Sequence, residues 1–171
     1  MIAPPWPHLV GLGKARRGAS LHLVADAEAR ARIAEALDIE ALDGLEADVE
    51  LSAWLDGVEI SAAWRAAIVQ ICGVSLDPFE TRLDGRFTVR AVPAGSANAP
   101  AEPAGELVID PQAEDPPDVL EGENLDVGDY VVEHLALEID PFPRKPGVEF
   151  EAPPEPTPPS PFDVLKALKR D

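Results

Sequence analysis

The chain has 171 residues, of which 46% are apolar and only 5% aromatic, and it carries a formal charge of -18. That length fits one ordinary domain with tails, and its interior has to be built mainly from Ala, Val and Leu. A field of this sign repels a polyanion, which argues against broad non-specific nucleic-acid binding, and the single cysteine excludes an internal disulfide or a thiolate-rich zinc site.

The charge is uneven. Residues 33–64 sum to -9 and 93–140 to -13, whereas 1–32 sum to +3. An acidic face favours a basic partner, although it also serves as a solvated surface that keeps a protein soluble. No run of about 18 apolar residues occurs, and the N-terminus lacks a long apolar segment, so neither membrane spanning nor export is indicated. The lone Cys72 suits a reducing compartment, and a cytoplasmic location is expected.

In chain order, residues 20–24 read as a short strand. Asp26 then stands as N-cap ahead of Ala29, Ile33 and Leu37 at four-residue spacing, predicting a helix over 27–37 whose other face carries Glu28, Arg32 and Glu35. From Leu45 the period changes to two, with Leu45, Ala47, Val49 and Leu51 alternating with Glu46, Asp48 and Glu50. Asp56-Gly57 supplies residues that tolerate positive φ in a type I′ turn, and Val58, Ile60, Ala62, Trp64, Ala66 and Ile68 resume the alternation, predicting a long hairpin. Residues 79–92 are strand-like too, with Asp84-Gly85 marking either a second hairpin or a bulge.

Between 93 and 120 the chain is rich in Ala, Pro, Gly and acid, and reads as a mobile acidic loop with one strand-like anchor at Leu107–Ile109. Asp126 caps a second helix with Val127, Val131 and Leu135 along one stripe, and Asp140-Pro141 ends it. Residues 151–159, EAPPEPTPP, form an extended linker, after which Ser160 caps a miniature helix. The predicted fold class is α+β: an antiparallel sheet, as a meander or partly closed barrel, packed with two helices. Residues 1–150 form the domain, and 151–171 a Pro-rich linker with a short C-terminal docking helix.

That terminal helix offers Phe162, Leu165 and Leu168 as an apolar contact, rimmed by Lys166, Lys169 and Arg170, for a partner surface. The cations available for RNA contact are Lys14, Arg16 and Arg17, with Arg82, Arg86 and Arg90, which share parity if 79–92 is one unbulged strand. Solvated strand-face arginines are the plainer explanation. Trp54 and Trp64 flank the Asp56-Gly57 turn and could meet across the hairpin, though Trp54 falls on the polar parity. Cys72 reads as a buried core thiol, and His8, His22 and His134 lack metal-pair spacing. No nucleophile motif or phosphate-binding loop appears, so neither catalytic residues, nor a metal, nor another cofactor is expected.

Three segments, WRAAIVQICGVSLDPFE (64–80), LDVGDYVVEHLALEIDPFPRKPG (125–147) and SPFDVLKALK (160–169), lie in an order and spacing that resemble the bacterial YceD family. The resemblance implies a non-enzymatic role in ribosome biogenesis and the accumulation of large-subunit (23S) ribosomal RNA. The family's genes commonly lie beside one for a small basic large-subunit protein. It therefore implies as partner a ribosomal precursor or such a basic protein, with ribosomal RNA itself as the alternative, and no membrane. Some relatives carry a second cysteine three positions after the first, where this chain has Ser75.

Overall fold

The computed structural model of the chain describes residues 4–100 and 115–150. Its elements in order are β1 (Leu9–Gly11), α1 (Leu12–Ala15), β2 (Ala19–Val24), α2 (Ala27–Ala36), β3 (Ala41–Trp54), β4 (Gly57–Ile71), β5 (Pro78–Pro93), β6 (Asp118–Leu120), β7 (Asn124–Asp126) and α3 (Val127–Glu138). Strands β2 to β6 form one sheet in sequential order, antiparallel except for the parallel β5–β6 pair, and β1 pairs antiparallel with β7 in a separate two-stranded sheet. The sheet is an open meander, not a closed barrel. Among the described residues, no helix is long and apolar enough to cross a membrane.

The alternation in β3 and β4 follows from covering one face of the sheet. Val49, Leu51, Ile60, Trp64 and Ile68 point into a core with Ile33 of α2 and Val131 and Leu135 of α3, while Asp48, Glu50 and Arg65 stay in water. Asp26 caps α2 by accepting the Ala29 N–H at 2.8 Å. The cap of α3 does more: Asp126 Oδ1 accepts the N–H groups of Gly128, Asp129 and also His8, at 3.1, 3.3 and 2.8 Å. It therefore fastens the N-terminal segment to the helix as well as satisfying the helix's own first-turn donors.

Both Asp-Gly dipeptides behave differently from their sequence reading. In the β3–β4 hairpin Trp54 pairs with Gly57, so the two turn residues are Leu55, at φ 50°, and Asp56. Gly57 is already strand, and its role is close approach, because a Cβ there would overlap the carbonyl oxygen of Ala91. Asp84-Gly85 makes neither a turn nor a bulge: β5 pairs with β4 without a register shift from Ile71–Pro78 to Val58–Ala91. Gly85 lies opposite Trp64, whose indole Cζ2 would stand 2.5 Å from a Cβ at that position. The tryptophan thus covers the glycine across the strands, and the glycine makes room for it. Trp54 and Trp64 do not meet, since Trp64 pairs with Ala47 far from the tip.

Cys72 is fully buried at the end of β4, as expected, but its sulfur is not idle. Sγ accepts the N–H groups of Val74, Ser75 and Lys145, each at 3.4 Å, and hydrogen bonds led by the Ser75 side chain pull the thiol down to about 6. With the Gly73 N–H donating to the Pro143 carbonyl at 2.9 Å, these bonds anchor the segment after α3 onto the β4–β5 connection.

Candidate functional site

Because β5 runs unbulged, Arg82, Arg86 and Arg90 all project from the outer face of the sheet, spread over about 26 Å at ~3.3 Å per residue. They do not form a free basic patch. Arg82 Nε lies 3.3 Å from Glu80, Arg90 Nε 3.1 Å from Glu59, and on the same face Arg65 lies 3.0 Å from Glu46. Arg90 also stacks over Trp54 at 5.1 Å, so that the tryptophan on the polar parity is covered by its own chain. Counting Glu46, Asp48, Glu50, Glu59, Glu80 and Asp84 against Arg65, Arg82, Arg86 and Arg90, this face holds more carboxylates than guanidinium groups.

Lys14, Arg16 and Arg17 lie on and just after α1, lining a depression of about 610 Å³ with Pro93 and Glu123. Arg16 reaches over to donate to the Leu55 carbonyl at 3.4 Å. Arg16 and Arg90 therefore come together at the β3–β4 tip, whereas Arg82 sits at the opposite end of β5. The tip is tied down by Asn98 and Ser96, whose side chains donate to Asp56 at 2.8 and 3.0 Å. Those bonds, Asn98 first, hold the Asp56 carboxyl below its ordinary range, with a smaller contribution from the Arg16 charge. Phe162, Leu165, Lys166, Leu168, Lys169 and Arg170 lie outside the described residues, as do Leu107–Ile109.

A second electrostatic anomaly is one that the sequence did not single out. A depression of about 460 Å³ is lined by Thr88, Val89 and Arg90 of β5, Asp115, Pro116, Asp118 at the start of β6, and Tyr130, Glu133 and His134 of α3. Its carboxylates crowd one another. Glu133 is pushed up by burial first and then by the charges of Asp129 and Asp118; Asp129 is pushed up by burial and by Asp126. The Tyr130 hydroxyl donates to Asp118 at 2.9 Å and is held neutral far beyond its ordinary range, again chiefly by burial. His134 stacks on Phe87 at 3.8 Å and donates from Nδ1 to the Tyr130 carbonyl at 2.8 Å, which fixes that side of the hollow. Partly desolvated, mutually repelling carboxylates stand ready to accept a cation, because an arriving Lys or Arg removes the repulsion it finds there.

This crowding has a testable sign. An acid whose folded-state pKa lies above its unfolded value destabilises the fold once it is ionised, and the penalty fades as pH falls through the folded pKa, the reverse of a salt-bridged carboxylate. Glu133→Gln is therefore expected to raise Tm at neutral pH. The gain should shrink toward zero as the pH approaches the glutamate's ordinary value of 4.5, which thermal melts across that range would check. A gain independent of pH would contradict the crowding.

The histidines are dispersed: His8 packs edge-on against Trp6 at 4.9 Å, His22 lies 2.7 Å from Asp48, and His134 is placed as above. Tyr130 and Glu133 are i,i+3 neighbours on the second helix, but only the placement of β6 beside α3 brings Asp118 to them, and that the sequence reading could not see. The available signals were the excess of acid across 93–140 and the i,i+4 pair Asp129 and Glu133 on the predicted second helix. Comparison with curated proteins and with solved structures found no match. A family model described as "Large ribosomal RNA subunit accumulation protein YceD" matches residues 60–169, from within β4 through α3 and beyond. That match takes in more than half of the chain and includes the acidic hollow together with the whole of β5, and by it the chain belongs to the YceD family.

Proposed function

We propose that this chain is a non-enzymatic, cytoplasmic ribosome-biogenesis factor that supports accumulation of large-subunit ribosomal RNA by holding a basic ribosomal protein or assembly intermediate. The observation that carries this reading is the placement of Asp118 and Glu133 in the β6–α3 hollow with Asp129 close by, where burial first and neighbouring negative charge second push the Glu133 and Asp129 carboxyls up, a repulsion that a bound cation relieves. Family membership supplies the setting, and the C-terminal residues Phe162, Leu165 and Leu168, rimmed by Lys166, Lys169 and Arg170, supply a second contact.

Direct contact with ribosomal RNA through Lys14, Arg16, Arg17, Arg82, Arg86 and Arg90 is the second reading, favoured by the shared face of the three β5 arginines. It is the weaker one. Arg82 and Arg90 are already matched by carboxylates, and phosphate binding draws its strength from cations free to displace counterions. In cells, loss of the protein is expected to lower large-subunit relative to small-subunit ribosomal RNA. An Asp118→Asn, Glu133→Gln double variant should fail to restore the ratio where the parent chain does. Full rescue by that variant would remove the acidic hollow from the mechanism, and an unchanged ratio in the deletion would remove the role altogether.

A further inference from the structure

β5 is the longest strand of the sheet, and one of its flanks is largely open. β4 accompanies it along nearly its whole length, but on the other side β6 pairs only with Ala91–Pro93. The stretch 88–90 faces the acidic hollow and Asp115 to Asp118. Along 79–87, among the described residues, no strand pairs with the outer edge. Among the described residues, this row of backbone N–H and C=O groups has no strand partner and is a template for another strand; Pro78 only precedes the stretch and no bulge interrupts it, which leaves the alternating charges of Glu80, Arg82, Asp84 and Arg86 to decide what can pair there.

The side chains identify what can pair there. In an antiparallel pair, directly opposite residues share a face, and opposite charges attract while like charges repel. If two copies of 79–87 pair about a two-fold axis at Leu83, Arg82 meets the second copy's Asp84 and Glu80 meets the second copy's Arg86, each twice by symmetry. On the inner face Leu83 meets Leu83 and Phe79 meets Phe87, and both Phe79 and Leu83 are only half-buried in the single chain. Moving the axis by one residue reverses the charges: an axis at Asp84 sets Arg82 against Arg86, and one at Arg82 sets Glu80 against Asp84. An axis at Gly85 keeps opposite charges together but requires 88–90, where Asp115 to Asp118 stand. The Arg82–Glu80 pair that would be exchanged is exposed, with 87% of the arginine side chain in water, and holds little energy of its own.

From this self-complementary order we infer that the β5 edge is a homodimer interface, Leu83 against Leu83, joining two sheets into one. The inference is independent of the proposed function. Sedimentation velocity of the full chain from about 1 µM to about 1 mM is expected to show the 18.2 kDa species giving way to one of twice that mass. Asp84→Arg sets an arginine against Arg82 and should weaken association at least tenfold, and adding Arg82→Asp should restore it. Arg86→Glu, which faces Glu80, is an independent variant expected to weaken association to a similar degree. A single 18.2 kDa species throughout would overturn the inference, and amide protection of 79–87 in that monomer would assign the edge to residues 101–114 of the same chain. Dimerisation insensitive to both charge reversals would overturn it equally.

Discussion

Gly128→Ala is expected to destabilise the protein by about 1–3 kcal/mol, although alanine in a helix is worth about 1 kcal/mol more than glycine by propensity. The sign is decided by what lies against the first turn of α3. A Cβ at Gly128 would overlap the carbonyl oxygen of Trp6 and lie 3.1 Å from the His8 ring. The backbone oxygen cannot rotate away as a side chain would, so residues 6–8 have to lift off the helix. That segment carries Trp6, which is 4% exposed, and is held by the His8 N–H on Asp126 at 2.8 Å and the Val127 N–H on the His8 carbonyl at 3.1 Å. Displacing it uncovers a large aromatic and opens the β1–β7 pairing, which outweighs the helix preference. Denaturant titration of parent and variant measures the difference, and an unchanged or higher midpoint would show that the segment does not seat on the glycine.

Trp64→Ala is expected to cost about 3–5 kcal/mol, the range for truncating a buried aromatic without collapse of the space it leaves. Trp64 is 3% exposed and bridges β4 to Gly85 of β5 at the middle of the sheet. Its partner makes the prediction sharper. Gly85→Ala alone should destabilise, since the new methyl meets the indole at 2.5 Å, whereas in the Trp64→Ala background it should stabilise by up to about 1 kcal/mol by restricting the unfolded chain and filling space. Additive effects in this double-mutant cycle would show that the ring does not cover the glycine.

The parts of the fold legible in the sequence were those with one buried face and a local signal. Leu45 to Leu51 and Val58 to Ile68 alternate because the pleat allows only one parity to reach the core, and Asp26 and Asp126 announce their helices because a cap acts within three residues. The dipeptides Asp56-Gly57 and Asp84-Gly85 misdirected the reading since glycine has two uses, positive φ and lack of volume, and here both serve the second. Strands β1, β6 and β7, of three residues each, are too short for any periodicity, and Leu9 finds Asp126 across most of the domain's length. The acidic hollow shares that difficulty in part. The repulsion between Asp129 and Glu133 was legible as an i,i+4 pair on the second helix, whereas the charge of Asp118 and the burial that pushes these carboxyls up exist only once β6 and α3 are in place. The parity of Arg82, Arg86 and Arg90 was legible, while the carboxylates that meet two of them became visible only with the β4–β5 register.

The claim that the acidic hollow receives a basic protein is tested most directly by affinity capture from cell extract, with and without ribonuclease, using the parent chain beside the Asp118→Asn, Glu133→Gln variant. The parent is expected to retain a basic large-subunit protein after nuclease treatment, and the variant, equally folded, to lose most of it. Loss of every ribosomal component on nuclease treatment of the parent would contradict the account and move the binding site to the arginines.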